Sequence, residues 1–250
     1  NIVTKRLFLG AGPIQTAKII VNSLNITEGL YIKESQSFFA PCIYLGKSIK
    51  NIYNHQTAAD GIVIFKENKK LNTKNLYHHF KYDQKLLEIV LKHKFGILFY
   101  LIPKFIVKRI FIDAGLVHSD MSLFKGKINF KNEKIEVIKN DIKRKFIKNT
   151  INKQLKIIGK KFSFISINFL LKLGKFGRSF HMGGSIPMKN NDHDSKVEKK
   201  LFVKTNGELS LAKNIFIIDS TSFNNIPAGD ITITIMANAM RIAHELKNEK

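Results

Sequence analysis

The run Asn214-Ile215-Phe216-Ile217-Ile218-Asp219 constrains the fold most, being apolar at four successive positions and closed by a carboxylate. A strand apolar on both alternating faces must be covered on both sides, as strands inside α/β layers are. Ligands of open α/β sheets gather at such strand ends. Asp219 is therefore a candidate site residue, with a turn or cap role as the plainer alternative. Downstream, Asn224, Asn225 and Pro227 punctuate the chain, and the Gly229-Asp230 turn opens a helical pattern. Ile233, Met236, Ala237, Met240, Ala243 and Leu246 recur at helical spacing, which predicts a buried face. Asp230 or Thr232 supplies its N-cap, and the free N–H groups there favour negative charge. Upstream lies SFHMGGSIPM, in which His181 precedes Gly183, Gly184 and Ser185. A histidine on a glycine turn, an acid at a strand end and a helix entered from a Gly-Asp turn read as one site.

The remainder of the chain narrows the class. Its 250 residues suffice for one large domain or two modest ones, and 44% hydrophobic content suffices for a core. A net charge of +23 raises nucleic acid or an anionic membrane as a partner. The lysines are scattered beside Ile and Asn, without interleaved aromatics or any RNP, KH, zinc-finger or basic-zipper pattern. A specific nucleic-acid partner is thus not expected, while peripheral membrane contact stays open. Cys42 is the only cysteine, so an intramolecular disulfide and a cysteine-rich metal site are excluded. It reads as a small buried hydrophobe. No signal peptide stands at the start, and the apolar run Phe95 to Ile102 is too short to span a bilayer. A cytoplasmic location is expected. The start at Asn1 implies a longer reading frame or a processing step.

At the N-terminus, Lys5 to Leu9 predicts a short strand running into Gly10-Ala11-Gly12-Pro13, then a helix carrying Ile14, Ile19, Ile20 and Leu24. The glycine turn invites a dinucleotide reading but fails the full fingerprint, since Gln15 replaces the third glycine. Tyr31 to Ser35 and Gly61 to Phe65 read as strands, with polar turns such as Asn51 to Asp60 between. Asp83 is placed to cap a helix with Leu86, Leu87, Val90 and Leu91 on one face. Residues 97–112 read as a buried helix pair broken at Pro103, with an interfacial segment on a membrane as the alternative. His118-Ser119-Asp120 tempts a triad reading, but neighbours in sequence alternate sides, so a turn is expected. Ile128 to Ile138 predicts a hairpin turning at 131–133. From Asp141 an amphipathic helix follows, with Ile142, Phe146, Ile147, Ile151, Leu155 and Ile158 inward and lysines outward. The segment 190–194 holds oxygen and nitrogen groups without calcium or zinc spacing, and reads as a polar loop with no metal.

Between Phe180 and Leu246 the sequence resembles the C-terminal region of the glucose–methanol–choline family of flavin-dependent oxidoreductases. That family has a His-x-x-Gly-(Thr/Gly) segment, then a strand of the type Asn-Leu-(Phe/Tyr)-Val-x-Asp-x-Ser. A Pro-x-x-Asn-(Pro)-x-x-Thr-Ile-Met-Ala helix start follows. Here these are His181-Met182-Gly183-Gly184-Ser185, Asn214 to Ser220, and Pro227 to Ala237. The N-terminal RLFLGAGPIQTAKIIVNS also resembles the family's Leu-Ala-Ala-Gly-Ala-Ile-x-Ser-Pro strand–turn–helix.

The resemblance implies an α+β to α/β chain. Its residues 1–28 would be a late segment of an FAD-binding Rossmann-like domain, and 29–170 a mixed-sheet substrate domain with helices. Residues 171–250 would return to the flavin domain, whose N-terminal half would lie outside this sequence. It further implies oxidation of an alcohol, polyol or sugar by FAD, with His181 as the base for the hydroxyl proton and hydride passing to flavin N5. Asp219 and Ser220 would meet the ribityl or phosphate region, and Gly10, Ala11 and Gly12 would line the flavin domain. The amides of Ile231 and Thr232 would face the pyrimidine edge. Asp230 stands where the family has Asn or His, which makes it a candidate catalytic or substrate contact, with N-capping as its alternative. A basic nucleic-acid-binding protein and a non-catalytic, membrane-surface remnant are the rival readings.

Overall fold

The computed structural model describes residues 3–47, 61–65, 76–81, 92, 96–101, 103–131, 133–189 and 201–248. The protein is mixed α+β. Its elements run β1 (Leu7–Leu9), α1 (Pro13–Ser23), β2 (Leu30–Glu34), β3 (Gln36–Tyr44), β4 (Gly61–Phe65) and β5 (Leu76–Lys81). Next come α2 (Lys104–Val107), β6 (Ile110–Val117), β7 (Phe124–Asn129), β8 (Lys134–Lys139), α3 (Ile142–Phe162), β9 (Phe164–Ser166) and β10 (Lys172–Leu173). The chain ends with β11 (Met182–Gly183), β12 (Met188–Lys189), β13 (Val203–Lys204), β14 (Ile215–Ile217) and α4 (Ile231–Asn248). The expected helix from Asp83, the turns of 51–60 and the loop 190–194 lie outside the described residues.

Two compact units result, one of Asn1–Ser35, His118–Asn140 and Phe176–Lys250, the other of Gln36–Val117 and Asp141–Lys175. Residues 29–35 and the hairpin at 118–140, within the middle segment of the sequence division, thus belong to the first unit.

In the first unit β1 pairs in parallel with β14, Phe8 opposite Phe216. A parallel pair needs a crossover and cover for its faces. On one side Ile20 of α1 packs with Ile186, Val203, Leu209 and Ile217. On the other, Phe216 packs with Ile242 and Leu246 of α4. A separate antiparallel sheet runs in the order β11-β2-β7-β8. The β7–β8 hairpin falls where the sequence placed it, and its outer strand carries a largely exposed row of charges that blunts the edge.

The face that α4 buries is not the one its periodicity suggested. Ile231, Ile242 and Leu246 are buried, while Ile233 and Met240 are each 72% exposed and Met236, Ala237 and Ala243 also face outward. The helix is apolar on two faces, and the strand it packs on, through Phe216, selects the Ile242–Leu246 stripe. Ile19 of α1 likewise turns outward, and Thr16, Ala17, Ile20 and Val21 form the buried stripe instead.

In the second unit the strands run β10-β3-β6-β5-β4, antiparallel throughout, with β9 also paired to β3. Helix α3 buries Ile147, Ile151, Leu155 and Ile158 as expected, but Ile142 is 91% exposed and Phe146 also lies largely outward. Phe80, Phe111 and Phe164 form a mutual aromatic cluster with ring centroids 5.2 to 5.9 Å apart. Buried beside it, His78 Nδ1 lies 2.7 Å from Asp113 Oδ2 and its Nε2 lies 2.9 Å from Gln154 Oε1. The expected helix pair over 97–112 is instead a 3-10 turn at Gly96–Leu101, the four-residue α2 and the start of β6. Tyr100, Leu101 and Phe105 are exposed, and Ile110 and Ile112 are buried as strand residues. An apolar run of this length fits strand or helix, and here pairing with β3 and β5 decides.

Gly115 of β6 shows how closely this sheet is packed. A Cβ there would come within 2.1 Å of the Phe38 ring and 2.4 Å of the Tyr77 carbonyl oxygen. We expect Gly115→Ala to destabilise the protein by about 3 kcal/mol through overpacking. Urea denaturation would measure this, and an unchanged midpoint would contradict the packing described.

Candidate functional site

The first unit brings the three terminal segments together around buried carboxylates. Strand β1 ends at Gly10-Ala11-Gly12, and Gly12 takes φ 90°, a conformation open to glycine, before Pro13 starts α1. The Gly12 amide donates to Asp219 Oδ2 at 2.9 Å, the Thr16 hydroxyl donates to the same oxygen at 2.6 Å, and the Thr221 amide donates to Oδ1 at 2.9 Å. The Ala11 amide donates to Thr16 Oγ1 at 3.0 Å. Asp219, only 5% exposed, therefore clasps the turn after β1 to the end of β14. Ser220 is buried too, its hydroxyl donating to the Met182 carbonyl at 2.8 Å. Ala11, Gly12, Thr16, Asp219 and Thr221 thus point their polar groups at one another.

The His181 segment is fixed from two sides. Met182 and Gly183 pair with Glu34 and Lys33 of β2. On the opposite side the Gly184 and Ile186 amides donate to the Ser220 and Thr221 carbonyls at 2.8 and 3.0 Å. A Cβ on Gly183 would sit 2.3 Å from the Ser220 carbonyl oxygen, so the close approach itself demands glycine. Just before the histidine, Phe180 holds φ 59°, a left-handed conformation costly for an aromatic residue.

Two positioning residues on β2 were missed by the sequence reading. Glu34 is fully buried, accepting from the Gly177 amide at 2.8 Å, the Ser179 amide at 3.1 Å and the Ser179 hydroxyl at 2.7 Å. It thereby anchors the loop leading into His181. Its neighbour Lys33 donates to the Asn225 side chain at 2.7 Å and to the Asn224 carbonyl at 2.5 Å, tethering the approach to Pro227. Burial lowers the Lys33 pKa, and the nearby Asp120 opposes that. The available signal was the alternation of β2, which sets Glu34 on the same inward face as Ile32.

His181 is half-buried. Its main chain is held by Ser35, whose amide donates to the His181 carbonyl at 3.0 Å, and by Ser179 Oγ, which accepts from the His181 amide at 3.2 Å. Its ring nitrogen Nδ1 is buried without a hydrogen-bond partner. Burial depresses the imidazole pKa, and the charges of Asp230 and Glu34 partly restore it. Asp230 is exposed and caps α4, accepting from the Thr232 amide at 3.0 Å. That bond, with a smaller contribution from His181, holds its carboxyl below the usual range. Ile231 is buried beneath it. The arrangement offers a partly desolvated imidazole coupled through its charge to an anion at a helix start, which suits acid–base chemistry near neutral pH.

The other sequence candidates resolve simply. Ser119 begins a 3-10 turn, as expected of a turn at 118–120, and its hydroxyl accepts from the Ile226 amide at 2.9 Å. Cys42 is buried and its thiol pKa is pushed up by burial, which removes it as a nucleophile. Among the described residues no cluster could hold a metal ion, and no helix is long and apolar enough to cross a membrane. Compared with protein-family models and with curated proteins, the chain matches none.

The charge coupling at His181 can be measured. Removing the Asp230 anion destabilises the imidazolium, so Asp230→Asn should shift His181 titration to lower pH, by less than about one unit for an exposed partner. Histidine ring NMR across pH would show it. Glu34→Gln puts an amide where three donors converge and should cost about 2 kcal/mol in stability. Denaturation of that variant with unchanged stability would refute the anchoring role.

Proposed function

We propose that this chain is the C-terminal portion of an FAD-dependent oxidoreductase acting on CH–OH groups, of the glucose–methanol–choline type. One observation carries the reading. The histidine that begins the His-x-Gly-Gly segment is half-buried, keeps an unpartnered ring nitrogen and feels the charge of Asp230 at the start of α4. A titratable group perturbed by burial together with a charge partner is a candidate for proton transfer.

FAD, when bound, supplies the hydride acceptor. The chain's own residues handle the proton. Burial favours the neutral form of His181 near pH 7, and because Nδ1 is buried, Nε2 is on this reading the nitrogen that accepts the proton of a substrate hydroxyl. Asp230 steadies the imidazolium that results, acting across the helix start it caps. The Thr232 amide is already bonded to Asp230, so of the two amides expected at that helix start the Ile231 amide is the one left to meet developing negative charge.

The fit to a flavin is partial. The Ala11 and Gly12 amides and both Asp219 oxygens are already bonded within the protein, so this turn suits a wall of a flavin pocket, not a phosphate ligand. Ser220 is committed likewise. No Gly-x-Gly-x-x-Gly occurs in the 250 residues, so on this reading the phosphate-gripping unit is supplied by other sequence.

Two measurements test the proposal. The coding sequence ahead of Asn1, or a partner gene, should encode a strand–Gly-x-Gly-x-x-Gly–helix unit. In protein carrying both parts, His181→Ala should lower alcohol-dependent flavin reduction by roughly 10²- to 10⁴-fold with FAD content unchanged. Undiminished reduction in that variant would overturn the assignment.

A further inference from the structure

The second unit holds a cavity that shares no residue with the His181 segment. About 900 Å³ in volume, it opens along the C-terminal half of α3 and β9. That size suits a small-molecule ligand. Lys153, Lys156 and Lys160 line it together, because spacings of three and four residues set them on one face of the helix. Among the described residues none of the three has a carboxylate partner. Lysines near a helix C-terminus complement its dipole, which explains cations there but not their convergence on a concave surface. Within a concavity lined by apolar walls, their common positive potential is concentrated and attracts an anion.

The wall has further features that a ligand would use. Asn152 Oδ1 is buried at the cavity with no hydrogen-bond partner, so turning this side chain toward a ligand donor sacrifices no bond at that oxygen. Ser163, in a left-handed C-cap at φ 57°, lies beside it in the lining. Leu155 and Phe164 are buried and give the cavity an apolar floor.

We propose that this cavity binds a phosphate-bearing ligand. Its phosphate oxygens meet the three lysine ammonium groups, which serve phosphate well as point charges. Its aliphatic or ring portion rests on Leu155 and Phe164. A soluble phosphorylated metabolite and an anionic lipid headgroup share this chemistry, and the experiment separates them.

The full chain is titrated calorimetrically with inorganic pyrophosphate. In parallel it is sedimented with phosphatidylglycerol vesicles against phosphatidylcholine vesicles. Each measurement is repeated on three variants. One is Lys153→Gln, Lys156→Gln and Lys160→Gln combined. The control removes the same charge elsewhere in the unit, through Lys108→Gln, Lys145→Gln and Lys148→Gln. The third replaces the cavity lysines by arginine, and circular dichroism checks all three for folding. Pyrophosphate affinity is expected to fall about tenfold or more in the cavity variant, and to stay within about threefold in the control and arginine variants. Loss of vesicle binding in the cavity variant alone, without pyrophosphate binding by the native chain, assigns the site to a lipid headgroup. The proposal fails if the native chain binds neither probe, or if cavity and control variants lose affinity equally, since binding then follows only the +23 charge of the whole chain.

Discussion

The first unit depends on the buried Asp219 carboxylate. A charge this far from water is tolerated only when donors surround it, and the Gly12 amide, the Thr16 hydroxyl and the Thr221 amide fill that need. Two of these bonds, from Gly12 and Thr16, span more than two hundred positions, so the first strand and the last are locked in one register. From there the constraint propagates. Thr221 and Ser220 present the carbonyls that Ile186 and Gly184 require, and Gly184 stands three residues beyond His181. The histidine therefore inherits its place from a carboxylate it does not touch.

The same device recurs at Glu34, and again in the second unit at Asp113. The chain has 19 acidic residues against 42 basic ones, yet among the described residues the buried Asp, Glu, Lys and Arg side chains are acids. The physical reason lies in what can solvate each kind. Backbone amides and hydroxyls are abundant near turns and converge readily on a carboxylate, as they do at Glu34. A buried ammonium needs several oxygens at once, and even partly buried Lys33 keeps two on the exposed side of its strand. Scattered lysines can consequently decorate every face without disturbing the fold, while a few acids specify it.

What was legible in the sequence followed the density of its local signals. The glycine turn after β1, the β7–β8 hairpin and the Asp230 cap were readable because turn and cap chemistry is decided within a few residues. The close approach in the His181 segment was readable because two glycines in succession signal it, and Gly183 does meet the Ser220 carbonyl. The role of Asp219 was only half visible. Its place at a strand end was plain, but the inward direction of its side chain depends on Thr16, which no local pattern connects to it. The anchoring role of Glu34 was hidden for the same reason, since its donors lie some 140 positions downstream, at Gly177 and Ser179. For α4 the difficulty was different. A helix apolar on two faces gives a periodicity that fits both, and only contact with Phe216 settles which one turns inward.

Asp230 shows why one residue can satisfy two readings at once. As an N-cap its carboxylate must face the first amides of α4, and the bond to Thr232 fixes it there. The same bond lowers its proton affinity, so the anion persists across the range in which an imidazole titrates. A residue recruited only for capping would serve as well in the form of serine or asparagine, which are neutral. Aspartate adds a permanent charge, and that charge reaches His181. Burial alone would push the histidine toward a permanently neutral, weakly basic ring. The anion at the helix start opposes this and raises the ring's proton affinity, while burial still leaves the imidazole pKa below its ordinary value. Capping and pKa tuning are thus two consequences of one carboxylate held by one amide.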